Sequence, residues 1–196
     1  MADEVTTAVE ARIDQLFAMS QLGPLACAAD CAYCCYVPRV LVTLPELARI
    51  LQRLQTWPAD QIEALKTRLD AHVLAQSSTV GSPSARPPCA LLVGQRCSVY
   101  DVRPLVCRGQ HAYDVHQCKT RCETGAGETT QLTVVLEVAR GAISGVVGAF
   151  QEMGAQGALL DLSRALLIAL ENPKVVVQAA NGLHSLAAAT VAAGTE

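Results

Sequence analysis

The chain has 196 residues, of which 51% are hydrophobic and 17% charged, and this composition excludes a disordered protein because it can bury a core. The 15 basic and 18 acidic side chains leave a net charge of −3, which argues against a nucleic-acid-binding protein. Aromatic residues make up only 4%, so the core must be built from Ala, Leu and Val. The nine cysteines are too many for chance, and they are the feature that points to chemistry.

The compartment decides how these cysteines are interpreted. The N-terminus carries neither a basic region nor an apolar run, so no signal peptide is expected. The most apolar stretch, residues 132–150, contains Glu137 and Arg140, so we expect no membrane span and a cytoplasmic protein. In a reducing cytosol, an odd number of cysteines favours metal ligands or redox groups over a closed set of disulfides.

Helical periodicity dominates the first half of the chain outside the cysteines. The first twenty residues predict an amphipathic helix. The sequence Thr43-Leu44-Pro45-Glu46 is a capping box that begins a second helix, and Pro58 ends it. A third helix follows, with apolar positions at Ile62, Leu65, Leu69 and Val73. Residues 76–88 then predict a polar linker.

The C-terminal part is also predicted to be helical. From residue 129 the chain is rich in Ala, Val and Leu, with a break at Asn172-Pro173. Gly141, Gly145 and Gly148 recur at helical spacing and predict close helix packing. The predicted fold class is therefore mainly α: a small helical domain with an irregular, cysteine-rich metal-binding region and a C-terminal helical extension. We expect a cysteine-cluster domain over residues 1–125, with residues 126–196 packed on it.

The first cysteine segment, residues 27–35, has the pattern Cys27-x3-Cys31-x2-Cys34-Cys35. If this stretch is helical, about 100° per residue places all four thiols on one face. Thiolates are soft ligands that suit zinc and iron–sulfur clusters. Adjacent Cys34 and Cys35 do not easily chelate one tetrahedral ion, so either they serve a centre with several metals or one of them packs against the protein.

The second cysteine segment, residues 89–122, holds the other five thiols at wide spacings, at Cys89, Cys97, Cys107, Cys118 and Cys122. Such spacings do not form a local zinc knuckle, and few periodic signals occur here, so we expect short turns held by their ligands. An antiparallel pair formed by the second and third helices returns the chain near its starting point. The two cysteine segments are therefore predicted to meet.

Charge follows the same division of the chain. Residues 27–122 hold eleven basic and seven acidic side chains, a net charge of +4, and include every cysteine. Six basic residues lie near cysteines in sequence: Arg39, Arg96, Arg103, Arg108, Lys119 and Arg121. These cations either stabilise thiolates or form a solvated basic surface.

The two segments together resemble the YkgJ-type cysteine-cluster family, which is named for a CxxCxxCC motif and described as zinc- or iron-chelating. The matching text is CAADCAYCC in the first segment, then PCALL and RCSVYDVRPLVCR in the second. The string C-S-V-Y-D-x-R-P-x-x-C-R is its most specific part, and the resemblance covers residues 20–125. It implies metal binding and leaves the metal open between zinc and iron.

Eight cysteines are the candidate metal ligands: Cys27, Cys31, Cys34, Cys35, Cys89, Cys97, Cys107 and Cys118. The first spacing departs from the family pattern by one residue, which shifts Cys27 along the face. Cys122 has no clear place in that pattern, although Cys118 resembles a later family element.

Several other residues of the motif region have candidate roles. Arg103 could balance thiolate charge or donate hydrogen bonds to sulfur, and Pro104 fixes a turn. Tyr100 could pack over the site or belong to the core. His111 and His116 could each complete a coordination sphere or lie in a turn at the surface, whereas His72 and His184 are interpreted as structural or exposed.

The predicted function is metal binding, with zinc or an iron centre such as [4Fe–4S] held by clustered thiolates. The alternative is a [4Fe–4S] redox protein or enzyme component acting on a partner or substrate, although the sequence has no catalytic signature. Cys27-x3-Cys31-x2-Cys34 has the spacing of radical S-adenosylmethionine enzymes, but the strand–helix alternation of their barrel is missing. A third hypothesis is a zinc-stapled protein that forms a homodimer or binds a protein partner through its C-terminal helices.

Overall fold

A computed structural model of the chain describes residues 2–19, 25–28, 30–37, 39–78 and 87–191. The fold of this part is mainly α-helical, as predicted. Its α-helices are α1 (Ala2–Met19), α2 (Leu44–Leu54), α3 (Ala59–Ser78), α4 (Leu105–Arg108), α5 (Val115–Thr124), α6 (Thr133–Glu152), α7 (Leu162–Glu171) and α8 (Lys174–Ala180). Its strands are β1 (Leu41–Val42), β2 (Leu92–Val93), β3 (Arg96–Cys97) and β4 (Leu160–Asp161).

The first three helices lie where the sequence predicts them. The capping box is formed, with the Thr43 N–H donating to the Glu46 carboxylate at 2.8 Å. Pro58 directly precedes α3, which begins at Ala59. The predicted linker begins too early, because residues 76–78 still belong to α3; residues 79–86 lie outside the described residues.

The C-terminal part has one feature that periodicity does not reveal. The break at Asn172-Pro173 is confirmed, since α7 ends at Glu171 and α8 begins at Lys174. Between α6 and α7, however, β4 pairs antiparallel with β1, and Leu41 lies opposite Asp161. Strands of two residues are too short to show an alternating pattern, so the pairing depends on the packing around it.

The main hydrophobic core is built around α7. Helices α2 and α3 both pack against α7, so α7 holds the two helices of the predicted pair in place. Ala165 and Ala169 on α7 are fully buried or nearly so, and such small side chains allow close approach of neighbouring helices. Because its buried residues come from both sides of residue 125, this core joins the cysteine-rich part to the C-terminal helices. The domain boundary itself stays a prediction.

A smaller core lies between α1, α4 and α6. Its buried residues are Val9, Ile13, Leu105, Leu132 and Val135. Close approach of α4 and α6 favours a glycine at position 109, where a Cβ atom would lie 3.1 Å from the Ala139 Cβ. This packing fixes α4, which carries one of the candidate ligands, Cys107.

Helix α6 corrects one prediction about packing. A Cβ atom placed at Gly141, Gly145 or Gly148 meets no atom of the described residues within 4 Å, so these glycines do not serve close packing there. By length and composition, α6 is the one helix of the described residues that could cross a membrane, and 17% of its most apolar window is buried. Its exposed positions include the small residues Gly141, Ser144, Gly145 and Ala149 as well as the charged Glu137 and Arg140.

Candidate metal centre

The two cysteine segments meet through their backbones. The Cys89 N–H donates a hydrogen bond to the Cys35 carbonyl oxygen at 2.7 Å, and Tyr36 forms an antiparallel bridge with Pro88. Arg96, beside Cys97, forms an ion pair with Asp30, beside Cys31. Residues separated by more than fifty positions are thus joined by three contacts, which confirms that the segments converge.

The first cysteine segment does not form the helix on which the single thiol face depended. Asp30 has a φ of 67°, in the left-handed region, and among the described residues of this segment the helical part is a single 3-10 turn, Tyr33–Cys35. A left-handed residue ends right-handed helical progression, so Cys31 and the Cys34-Cys35 pair do not belong to one continuous helix. The thiols of this segment therefore depend on tertiary contacts for their positions.

The second segment begins as a tight hairpin. Strands β2 and β3 pair antiparallel, with Leu92 opposite Cys97, and the turn between them starts at Gly94 with a φ of 62°. Cys97 ends β3 and is followed by a 3-10 turn, Tyr100–Val102. These short elements agree with the prediction of turns in this region.

Three cysteines of the second segment lie beside the main hydrophobic core, and we call them the core-side thiols: Cys89, Cys97 and Cys107. Each is partly buried and packs against the main hydrophobic core. Burial, followed by the nearby Cys97 and Cys34 thiols, raises the pKa of Cys89 to about 11. Burial also raises the pKa of Cys107 well above its usual value, and the neighbouring Cys89, Cys34 and Cys97 thiols add to the rise.

Three other candidate ligands are not among the residues packed against either hydrophobic core, and we call them the outer thiols: Cys27, Cys31 and Cys118. The Ala112 N–H donates to the Cys27 sulfur at 3.3 Å, which attaches this residue to the second segment. Helix α5, which carries Cys118, contacts the Tyr33–Cys35 turn. Burial raises the pKa of Cys118, with further increases from the charges of Cys27 and Cys31.

Cys34 lies near both groups. The charge of its thiol contributes to the raised pKa of Cys89, Cys97 and Cys107, and also to that of Cys27 and Cys118. A hydrogen bond with the Cys35 thiol, together with burial, raises the pKa of Cys34 itself. Neighbouring thiolates repel one another, and a bound metal cation offsets this repulsion.

The two cysteine segments meet, but their thiols do not form a closed ligand set in the described residues. None of the nine cysteines, all of which lie in the described ranges, is joined in a disulfide. Within those ranges, no three or more Cys, His, Asp or Glu side chains are arranged closely enough to hold a metal ion as they stand. The soft donor set suits zinc or iron. The choice of ligands among the eight candidates stays a prediction.

Most basic side chains near the cysteines have acidic partners. Arg39 pairs with Asp161, Arg96 with Asp30, Arg108 with Glu10 and Lys119 with Glu123. Arg103 is the cation that acts on the thiols: burial raises the pKa of Cys97, and the Arg103 charge opposes the increase. Its guanidinium lies 3.8 Å from the centre of the Tyr100 ring, which is 64% exposed, so Tyr100 is not a core residue.

Two positioning residues were not recognised in the sequence. The buried Arg108 guanidinium donates to the Arg103 carbonyl oxygen at 3.0 Å and to the Asp101 carbonyl oxygen at 2.7 Å, which holds the turn between Cys97 and Cys107. The Glu46 carboxylate accepts from the Leu105 N–H at the start of α4. In the sequence, the position of Arg108 at the C-R end of the quoted motif was the one indication of its role. Glu46 could be recognised only as part of a capping box.

The histidines fall into two groups. His111 is half-buried next to Ala112, and burial lowers its pKa, whereas His116 is exposed at the start of α5. His72 is buried and His184 is exposed, in agreement with the sequence interpretation. His72 lies between the Val37 carbonyl oxygen and the Ser163 hydroxyl, which gives it a structural role.

Comparison with known families agrees with this geometry. A family model described as CxxCxxCC, a putative zinc- or iron-chelating domain, matches residues 26–125, and the chain belongs to this family. The match contains both cysteine segments and the helices α2 and α3 between them. No curated protein and no solved structure matches the chain. The family description supports metal binding.

Proposed function

We propose that this protein binds zinc or iron through the thiolates of the core-side and outer groups together with those of Cys34 and Cys35. The observation that carries the proposal is the joining of the two cysteine segments, in which the Cys89 N–H donates to the Cys35 carbonyl oxygen at 2.7 Å. This contact brings soft ligands from distant parts of the sequence into one region. Cys34 is the centre of the proposed ligand set because its charge acts on both groups.

The eight proposed ligands exceed the four of a mononuclear zinc site. Two metal sites, or one cluster supported by further cysteines, use this number of thiols. Burial and mutual repulsion favour protonated thiols in several of these residues, so metal binding must displace protons. We therefore expect metal affinity to rise with pH and proton release to accompany binding. A cytoplasmic location suits this role because reducing conditions keep thiols available.

The metal is decided by purification without oxygen, followed by elemental analysis and absorption spectroscopy. Zinc gives a colourless protein with stoichiometric metal. A [4Fe–4S] centre gives a brown protein with a broad absorbance at about 400 nm, iron and acid-labile sulfide. This result favours a redox protein or enzyme component. A protein that binds neither metal, after incubation with zinc or with iron and sulfide under reducing conditions, contradicts the proposal.

A protein partner is the second candidate role. The observation that favours it is the exposed face of α6, where Gly141 and Gly145 leave open space in the described structure. Small residues allow two helices to approach closely, as a homodimer through the C-terminal helices requires. Sedimentation equilibrium tests this role: a dimer that dissociates in Gly145→Arg supports it, and a monomer at all concentrations contradicts it.

A further inference from the structure

A cavity of about 260 Å³ lies beside the β1–β4 pair, and no cysteine is among its lining residues. Its lining residues are Arg39, Asp161, Arg164, Ala188, Ala189, Thr190 and Val191. We propose that the cavity binds a small oxyanion, a carboxylate or phosphate group, between the guanidinium groups of Arg39 and Arg164.

The charge of the lining favours an anion. Asp161 is 1% exposed, and its Oδ2 accepts from Gln76 at 2.9 Å while its Oδ1 accepts from the Arg164 N–H at 3.1 Å. The Arg39 Nε lies 3.2 Å from the same Oδ2. This carboxylate is therefore already satisfied, and it offers little to a cation. Two guanidinium groups against one carboxylate leave the lining with net positive charge.

The arginines have donors to spare. Arg39 faces Asp161 through its Nε, so its terminal nitrogens are available to a second acceptor. The Arg164 side chain has no hydrogen bond or ion pair with any residue in the described ranges. Guanidinium groups bind carboxylate and phosphate oxygens by paired hydrogen bonds, and such charge-assisted bonds are about twice as strong as neutral ones.

The opposite wall of the cavity is a fixed structure. Thr190 forms a bridge with Leu160 of β4, and the Val191 N–H donates to the Leu159 carbonyl oxygen at 3.0 Å. The Thr190 hydroxyl accepts from the buried Gln156 side chain at 3.1 Å. This wall is hydrogen-bonded to β4, and Asp161 of β4 binds the Arg39 side chain and the Arg164 backbone N–H, so both sides of the cavity are anchored to the same strand.

Isothermal titration calorimetry of the metal-loaded protein with inorganic phosphate and with acetate, at constant ionic strength, tests the proposal. We expect one site per chain, and the two anions report whether phosphoryl or carboxylate groups are preferred. Arg164→Gln should weaken binding about tenfold or more, since it removes a charge-assisted interaction. Arg140→Gln is the matched control, because this exposed arginine pairs with Glu137 away from the cavity and its loss should leave binding unchanged.

Three outcomes overturn the proposal. One is the absence of binding by both anions up to about 10 mM, an affinity below that of a useful site. Another is equal binding by the wild type and Arg164→Gln. The third is a binding heat that sodium chloride reproduces, because such a heat shows general screening of charges and not binding at the site. Circular dichroism of each variant establishes that it is folded, and Arg39→Gln provides an independent second test of the same site.

Discussion

The Glu46 carboxylate accepts a hydrogen bond from the Leu105 N–H at 2.7 Å through Oε1, while its Oε2 accepts from the Thr43 N–H at 2.8 Å. One buried side chain therefore caps α2 and α4 at the same time. Helix α4 carries Cys107, so the carboxylate that caps α2 also holds the helix of a candidate metal ligand in place. The Glu46 side chain therefore affects both the stability of the core and the position of a thiol.

Replacing this side chain should reduce both properties. Glu46→Ala removes the caps of two helices, and we expect the free energy of unfolding to fall by about 2–3 kcal/mol. Urea denaturation measures the loss, and competition with a chelator measures the accompanying decrease in metal affinity. Glu63→Ala is the control, because this exposed residue on α3 pairs only with Lys66 in the described structure. Equal stability of the two variants contradicts the double-cap assignment.

Loss of single thiols should affect metal binding unequally. Cys34→Ser should reduce bound metal most, since Cys34 neighbours both groups of thiols, and Cys31→Ser should also reduce it sharply. Cys122→Ser is the matched control and should change the metal content little. Metal per chain is measured by elemental analysis after purification without oxygen. Unchanged metal in the Cys31 and Cys34 variants means that the ligand assignment is wrong.

Removing the metal should loosen the second cysteine segment more than the rest of the chain. Residues 89–114 contain only elements of two to four residues, and α5, which follows them, has no buried residue, so the order of this segment depends on its ligands more than on a periodic core. We expect hydrogen exchange there to accelerate after chelation, while α7 stays protected because its small side chains are fully buried. Exchange that changes uniformly, or not at all, contradicts this prediction.

Acid should weaken the contact that His72 makes between α3 and α7. Since the Val37 carbonyl can only accept, Nε2 carries the proton and Nδ1 accepts from Ser163, which defines a neutral histidine. Burial lowers the pKa of His72 in the fold, so the unfolded chain binds more protons below about pH 6.5. The stability contributed by neutral His72 is present above this pH and is lost as pH falls through the folded pKa.

The measurement compares unfolding free energies of the wild type and His72→Gln between pH 8 and pH 5 (about three units around the usual pKa). We expect the wild type to be more stable at pH 8 and the difference to shrink as the pH falls. His184→Gln, at an exposed position, is the control and should keep the wild-type profile. A constant difference between wild type and His72→Gln across the range is incompatible with a neutral buried His72.

Two glycines should respond in opposite directions to a methyl group. Gly145 lies within α6 and faces open space, so Gly145→Ala should raise the free energy of unfolding by about 0.5–1 kcal/mol. At Gly157 a Cβ atom would lie 2.6 Å from the Gln151 backbone nitrogen and 2.7 Å from the Val147 oxygen. Because backbone atoms must shift, Gly157→Ala should lower stability by about 1–3 kcal/mol. Thermal unfolding of both variants decides, and a shift of the same sign contradicts the packing.

Local signals account for much of the fold. The amphipathic period of α1, the capping box of α2 and the proline before α3 all act within a few residues, so each could be recognised from neighbouring letters. The convergence of the two cysteine segments was predicted from a pairing of the two helices between them, whereas in the structure both helices pack against α7. The quoted CSVYD-RP-CR motif was enough to identify the family that the later comparison established.

Contacts between distant residues settled what those signals left open. The left-handed Asp30 interrupts the helix on which the expected single face of thiols depended. Strands β1 and β4 pair although they are too short to show an alternating pattern in the sequence. The division of the thiols into core-side and outer groups follows from which of them pack against the core. A helix requires only neighbouring residues to agree, whereas these features require chain segments to be fixed against each other by buried surface and hydrogen bonds.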